Sequence, residues 1–393
     1  MERPVRKIHL LAPLAAALAL IPFVASIRYT ADFGLAYSGG LEAWASGHPE
    51  RLSTWFSTPF LALVMAVITR VASADAGAHV LVAANVVVWG GLLVTVWSRL
   101  QGRVPSAWWW GTLVAAAVFS PAISTIFWLN FNIIVFALAL AGFSLVGRHD
   151  RLAALLIGLS VATKPILLLL PLALLLRRES RTAGMLATAV AAGLNVAGIA
   201  FLAWRAGDPG ALNPFPLLAD FAAKGHGPLV ACVTQNYSPL ALLCRLGLPT
   251  TTAVTLGVDA ALVAIAWLLL RRLSTGWEVF ALACLISPML GPIEWATYQL
   301  LFAPVMLLLA YQFWSEGAPA RLWLGLLLAF LMTELVWDPM ESLARTPVTV
   351  EIVSYSVGQF AQFVILLTWA RWLSLRQPAG VTAHLSADHA RGV

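Results

Sequence analysis

"LAALLIGLSVATKPILLLLPLALLL", residues 152–176, carries a single charge, Lys164, in about 25 residues. At a rise of 1.5 Å per residue, about 30 Å of hydrocarbon takes about 20 helical residues, so this run is long enough for a lipid bilayer. Similar runs recur at 8–27, 58–73, 78–98, 107–125, 133–146, 183–204, 250–271, 277–288, 296–313, 321–337 and 351–373. With 393 residues, 60% of them hydrophobic, 11% charged, and a mean hydropathy of +0.85, the chain has more apolar surface than a soluble core can hide. The reading is an all-α polytopic membrane protein of about twelve transmembrane helices. The first run is too long and too poor in small cleavage-site residues for a signal peptide and is retained as a span.

The net charge of +6 resides in short turns between runs, where it orients a membrane protein and gives no reason to invoke nucleic acid. Arg3, Arg6 and Lys7, "RRESR" at 177–181, Arg271 with Arg272, and Arg371 with Arg376 fall on one face, which the bias in basic residues makes cytoplasmic. Two long stretches, about 28–57 and 205–249, then share the opposite, extracytoplasmic face, and long loops on one side carry function. "GRHDR" at 147–151 falls on that outer face, against the charge rule, so either a run such as 133–146 does not fully cross or the bias is locally broken. There is no fixed-period repeat and no matched pair of interrupted helices of the kind transporters show. Residues 1–375 are read as one domain, and the tail 376–393 as polar and disordered. Cys232, Cys244 and Cys284 have no metal-ligand spacing, although Cys232 and Cys244 could pair.

Asp32 follows the first run by about five residues and precedes Tyr37, a helix-compatible "GLEAWASG" and "TWFSTPF". A short interfacial helix anchored by Trp44, Trp55 and Phe56 fits this pattern, with the carboxylate where an amphiphile's head group meets water. Alternatively Asp32 solvates the loop or caps a helix.

In these residues the sequence resembles the integral-membrane glycosyltransferases of the GT-C superfamily, and among them glycosyltransferase family 87, the polyprenol-phosphate-mannose-dependent mannosyltransferases. The resemblance rests on ordered elements over most of the chain: Asp32, Tyr37, Gly47 and "WFSTP" closing at Pro59; Pro121; "WLNFNIIV" with Asn130 and Asn132; "GLSVATKPILLLLP" with Lys164; "QNYSPLALLCRLG" with Asn236 and Arg245; and "SPMLGPIEW". The family's Gly-Gln pair is replaced by Leu129 and Asn130, and its paired histidines by Thr297 and Tyr298.

An ammonium in the middle of an apolar run costs about 2.5–3.5 kcal/mol on insertion scales, so Lys164 either faces a polar cavity as a partner for a lipid phosphate, or snorkels, or pairs with a carboxylate. Pro165 breaks the helix ladder beside it. Arg245, whose planar fork suits a phosphodiester, is the second phosphate candidate, or an interfacial snorkel. Asn130, Asn132, Asn236, Tyr37, Glu294, Trp295 and Tyr298 are candidates for sugar or acceptor contacts, with helix capping the alternative for Glu294. His48 and His226 lie in the outer loops and could line the site or be solvated.

The resemblance implies inverting, direct displacement from a β-linked polyprenyl-phosphate mannose to a lipid-linked or glycan acceptor, with Asp32 as the base and no covalent intermediate. Polyprenyl-phosphate arabinofuranose as donor, or transport of a lipid-linked sugar without transfer, are the alternatives. No cofactor is required by the sequence, and a divalent metal is left open. Rich in arginine, alanine and tryptophan and poor in lysine, the chain is read as a protein of a bacterial plasma membrane, with its active site on the extracytoplasmic side.

Overall fold

The computed structural model describes residues 31–52, 57–100, 111, 114–115, 119–216, 219–220, 236–290, 294–334 and 348–376. Among these the elements are helical: α1 (Ala31–Ser46), α2 (Pro59–Val71), α3 (Ala74–Leu100), α4 (Ser120–Phe127), α5 (Asn132–Leu145), α6 (Asp150–Thr163), α7 (Leu169–Leu175), α8 (Arg181–Ala206), α9 (Pro239–Arg245), α10 (Thr252–Leu270), α11 (Gly276–Ile286), α12 (Phe302–Ser315), α13 (Ala320–Glu334) and α14 (Val348–Leu375). Ala74–Val96, Arg178–Ala206 and Thr252–Leu270 are long and apolar enough to cross a bilayer by themselves. The first run at 8–27, residues 107–110, 112–113 and 116–118 of the run 107–125, and the tail from 377 lie outside the described residues. The core runs through the middle of the bundle, where Phe280, Phe302, Phe313 and Trp369 are buried with Ile133, Leu167 and Leu170.

The opening stretch does not form one crossing. Helix α6 stops at Thr163, Lys164 is extended (φ −151°, ψ 120°), and Pro165–Leu167 makes a single 3₁₀ turn before α7. Pro165 has no N–H to continue the ladder, so the break falls where the sequence placed it. The chain then doubles back. Residues His149–Leu152 at the start of α6 share a surface cleft with Thr182 and Leu186, while Pro171 and Leu175 of α7 lie against Gly184. Both ends of the 152–176 run therefore meet the start of α8, so the run is a re-entrant pair of helices. This resolves the anomaly of "GRHDR", because 147–151 and 177–181 belong to the same end of the bundle. Arg177 joins that end to the turn after α10 by donating to the carbonyls of Leu273 (3.2 Å) and Ser274 (3.4 Å).

The first outer segment is more helical than the sequence suggested. Asp32 sits in the first turn of α1 rather than in a loop, where the positive end of the helix dipole favours a carboxylate. Gly47 ends α1 with φ +75°, and a Cβ there would fall 2.3 Å from the Leu202 carbonyl oxygen of α8, so only glycine fits this contact. Trp44 is not a bare lipid anchor: it packs on Phe201 and lies under the guanidinium groups of Arg70 (5.2 Å) and Arg205 (4.9 Å). Trp55 and Phe56 lie outside the described residues.

Candidate active site

Helix α4 ends in a turn that delivers the central residue of the site. Leu129 has φ +54°, a left-handed conformation rare for a branched side chain, and the Asn130 N–H donates back to the Thr125 carbonyl at 3.0 Å. The Asn130 carbonyl accepts from Asn85 Nδ2 of α3 at 2.8 Å. With its backbone fixed, the Asn130 side chain donates through Nδ2 to Asp32 Oδ2 (2.6 Å) and accepts through Oδ1 from Lys164 Nζ (2.8 Å). One buried amide thus bridges an acid and a base from distant helices, and its orientation follows from having a carboxylate on one side and an ammonium on the other. The Asp32 N–H also donates to the Trp128 carbonyl (3.3 Å), tying the start of α1 to the same turn.

Lys164 completes its coordination with Asn132 Oδ1 at 2.9 Å and lies 4.8 Å from the centre of the Tyr298 ring. Its position depends on the helix break. Thr58, in the proline-closed segment before α2, donates through Oγ1 to the carbonyls of Ala162 (2.5 Å) and Thr163 (3.2 Å), satisfying acceptors at the open end of α6. The same oxygen caps α2 by accepting from the Leu61 N–H at 3.1 Å.

A second polar group surrounds the segment 294–298. Asn236 pairs with Trp295 in an isolated antiparallel bridge, and its Oδ1 accepts from the N–H groups of Ser238 (3.0 Å) and Glu294 (2.9 Å). The Tyr237 N–H donates to the Glu294 carbonyl at 2.6 Å. Arg245 is held by the Asn236 carbonyl (2.5 Å) and Gln359 Oε1 (2.9 Å), while Gln359 and Gln362 of α14 donate to the carbonyls of Ser238 (2.8 Å) and Tyr237 (3.0 Å). Tyr298 joins the two groups: its ring faces Lys164, and both Asp32 and Glu294 act on it electrostatically. Cys244, one residue before Arg245, is disulfide-bonded, whereas Cys284 is a free, buried thiol.

An acid, a lysine and paired amides set beside a tyrosine can take up a proton and stabilise a departing anion, and the sequence comparison fixes the class. Residues 55–292, more than half of the chain, match glycosyltransferase family 87. The chain belongs to this family. It is therefore a membrane glycosyltransferase, which requires a sugar donor and an acceptor. No curated protein and no solved structure matches it. The family 87 match contains Asn130, Asn132, Lys164, Asn236 and Arg245; Asp32 precedes it, and Glu294, Trp295 and Tyr298 follow directly after it.

Two residues proposed from the sequence stand apart from this group. The Tyr37 hydroxyl donates to the Ala72 carbonyl at 2.9 Å, bracing α1 against the α2–α3 turn. His48 pairs with Glu50 at 2.8 Å beyond the far end of α1, about 24 Å along the helix from Asp32. His226 and Lys224 lie outside the described residues. The structure adds Asn85, Gln359 and Gln362, each buried on an otherwise apolar helix. A lone amide amid lipid-facing residues is itself a signal, since buried polar groups in a membrane need partners.

Proposed function

We propose that this family 87 enzyme transfers mannose from a polyprenyl-phosphate donor to a lipid-linked or glycan acceptor at the extracytoplasmic face of a bacterial plasma membrane, in a bundle of the GT-C type. The observation that carries this reading is the Asn130 bridge, which sets the carboxylate of Asp32 and the ammonium of Lys164 on either side of one amide. Asp32 takes the proton of the acceptor hydroxyl, whose oxygen attacks the anomeric carbon as the bond from that carbon to the phosphate oxygen breaks. The sugar configuration inverts, and the electron pair leaves on the polyprenyl phosphate. Lys164 stabilises that growing negative charge, and Arg245, fixed by Asn236 and Gln359, provides a second positive charge toward the phosphate. The Asn130 hydrogen bond occupies Oδ2 of Asp32 and so aims the carboxylate.

Two features favour an extracytoplasmic site. The arginine-rich turns collect at the opposite end of the bundle, as a cytoplasmic end requires. A disulfide at Cys244, beside the site, suits an oxidising compartment.

The test is transfer by purified Asp32→Asn in lipid nanodiscs, with polyprenyl-phosphate mannose and polyprenyl-phosphate arabinofuranose offered in parallel. Loss of mannosyl transfer with unchanged folding is the expected outcome. Near-normal turnover by a folded variant would remove Asp32 from the chemistry, and use of the arabinofuranose donor alone would replace the sugar.

A further inference from the structure

Glu294 lies outside the helices, in the segment leading into the 3₁₀ turn Ala296–Leu301. Its side chain is fully buried with the Gln362 amide close enough to act on it, and among the described residues no hydrogen bond of normal geometry reaches either carboxyl oxygen. The backbone that carries this side chain is pinned, with the Glu294 N–H on Asn236 Oδ1 and its carbonyl under the Tyr237 N–H, which fixes where the carboxyl group starts from. The charged groups nearby are committed elsewhere. Lys164 bonds Asn130 and Asn132, Arg245 bonds Asn236 and Gln359, and Asp32 is bound by Asn130. Tyr298 feels both acids and bonds neither. An ionised carboxylate buried in this way is strongly disfavoured, and burial pushes Glu294 well above the usual carboxylate range. The nearest amide is in a similar position: Gln362 uses Nε2 on the Tyr237 carbonyl, while its Oε1 is buried without a donor.

A carboxylic acid offers one donor and one acceptor, and an amide oxygen adds a second acceptor, which together match a hydroxyl group that both accepts and donates. We propose that Glu294 and Gln362 form the subsite for one hydroxyl of the donor sugar, with Glu294 donating to that hydroxyl and Gln362 accepting from it. This assignment rests on the sugar-transfer reading above. It gives the two carboxyl groups of the site opposite duties: Asp32 takes up a proton during the reaction, and Glu294 keeps its own.

Three measurements test this. Glu294→Gln, which retains a donor and an acceptor but has no proton to lose, is expected to keep most of the wild-type turnover, whereas Glu294→Ala should lose at least about tenfold in kcat/KM for the donor. Across donors each lacking one sugar hydroxyl, the penalty for one particular deletion should be large in the wild type and vanish in Glu294→Ala. Infrared difference spectra of wild type against Glu294→Gln should show a protonated carboxylic acid that the variant lacks, a readout that needs no donor. A Glu294→Gln protein that melts like wild type but is as inactive as Asp32→Asn would overturn the proposal. So would the absence of the carboxylic acid band, or deletion penalties unchanged in Glu294→Ala. Retained activity in Asp32→Asn alongside the expected Glu294 results would unseat only the base.

Discussion

At the basic end of the bundle, the buried carboxylate of Glu278 accepts from the N–H groups of Ser274 and Thr275 at 2.9 Å each, from Gln312 at 2.9 Å and from Arg376 at 2.5 Å, while Arg376 also pairs with Glu316. At the opposite end, Asp32 and Lys164 are joined through the single amide of Asn130, and the carboxyl group of Glu294 has no hydrogen bond of normal geometry among the described residues. Both ends hold ionisable groups within an otherwise apolar bundle, and they treat them in opposite ways. The Glu278 carboxylate itself is partnered on both oxygens, locking the start of α11 to the ends of α12 and α14 through a capping box and two ion pairs, although Gln312 Oε1 has no partner among the described residues. Among the described residues, the Asp32 end leaves buried donors and acceptors without partners, including Asn132 Nδ2 and Thr297 Oγ1 as well as Glu294. A carboxylate with both oxygens partnered supports the fold, whereas one without partners sacrifices stability for an arrangement that a ligand can complete.

Substitutions separate these roles. Asp32→Asn should lower turnover by about 10²–10⁴-fold, the range of general-base catalysis, while the thermal melt stays at the wild-type position. Glu278→Ala should do the reverse. It strands Arg376 and Gln312 and should lower stability by about 3–5 kcal/mol, while the protein that remains folded turns over normally. A Glu278→Ala protein with an unchanged melt would break the contrast between the ends. Lys164→Gln should reduce kcat by about 10²–10³-fold, or about 2.7–4 kcal/mol of barrier, as expected for removing a group that stabilises departing charge. Because the substitution also removes an ammonium from an apolar surround, its melt should be equal to or higher than wild type; a clear fall would mean that Lys164 serves chiefly as a brace.

The sequence exposed the strongly charged parts of this contrast and concealed the neutral ones. Lys164 and Pro165 were legible because a charge and a missing N–H are both costly within an apolar run. Asn130 and Asn132 were picked out through the resemblance to family 87, in "WLNFNIIV". Asn85, Gln359 and Gln362 were missed, since hydropathy summed over a helix barely registers one amide. The return of α7 toward its starting face was equally hidden, because an apolar run records length and not direction. The basic residues of 147–151 did carry the clue: their conflict with the charge rule arose from counting 152–176 as one crossing. Asp32 was singled out as a candidate base, but its place in the first turn of α1 was not foreseen, since Gly39 and Gly40 are poor helix formers. Gly40 is there because a Cβ would fall 2.6 Å from the backbone of Met65, so packing of α1 against α2 outweighs propensity.

The smallest effect is expected where the two behaviours meet, at Thr58. Its hydroxyl makes saturated, structural bonds inside the unsaturated end: it accepts the Leu61 N–H that starts α2 and donates to the Ala162 carbonyl that α6 leaves open beside Lys164. Thr58→Val keeps the shape and removes both bonds, so stability should fall by about 1–2 kcal/mol, the usual loss for a helix cap with a second partner left unpaired. Turnover should fall by far less than in Lys164→Gln, because Asn130 and Asn132 still hold the ammonium. Thr58→Ser, which restores the hydroxyl without the methyl group, should recover most of the melt. If the valine variant melts like wild type but transfers as poorly as Lys164→Gln, the break at Lys164 is held in place for the chemistry and contributes nothing to the fold, and the division drawn between the two ends no longer holds at their boundary.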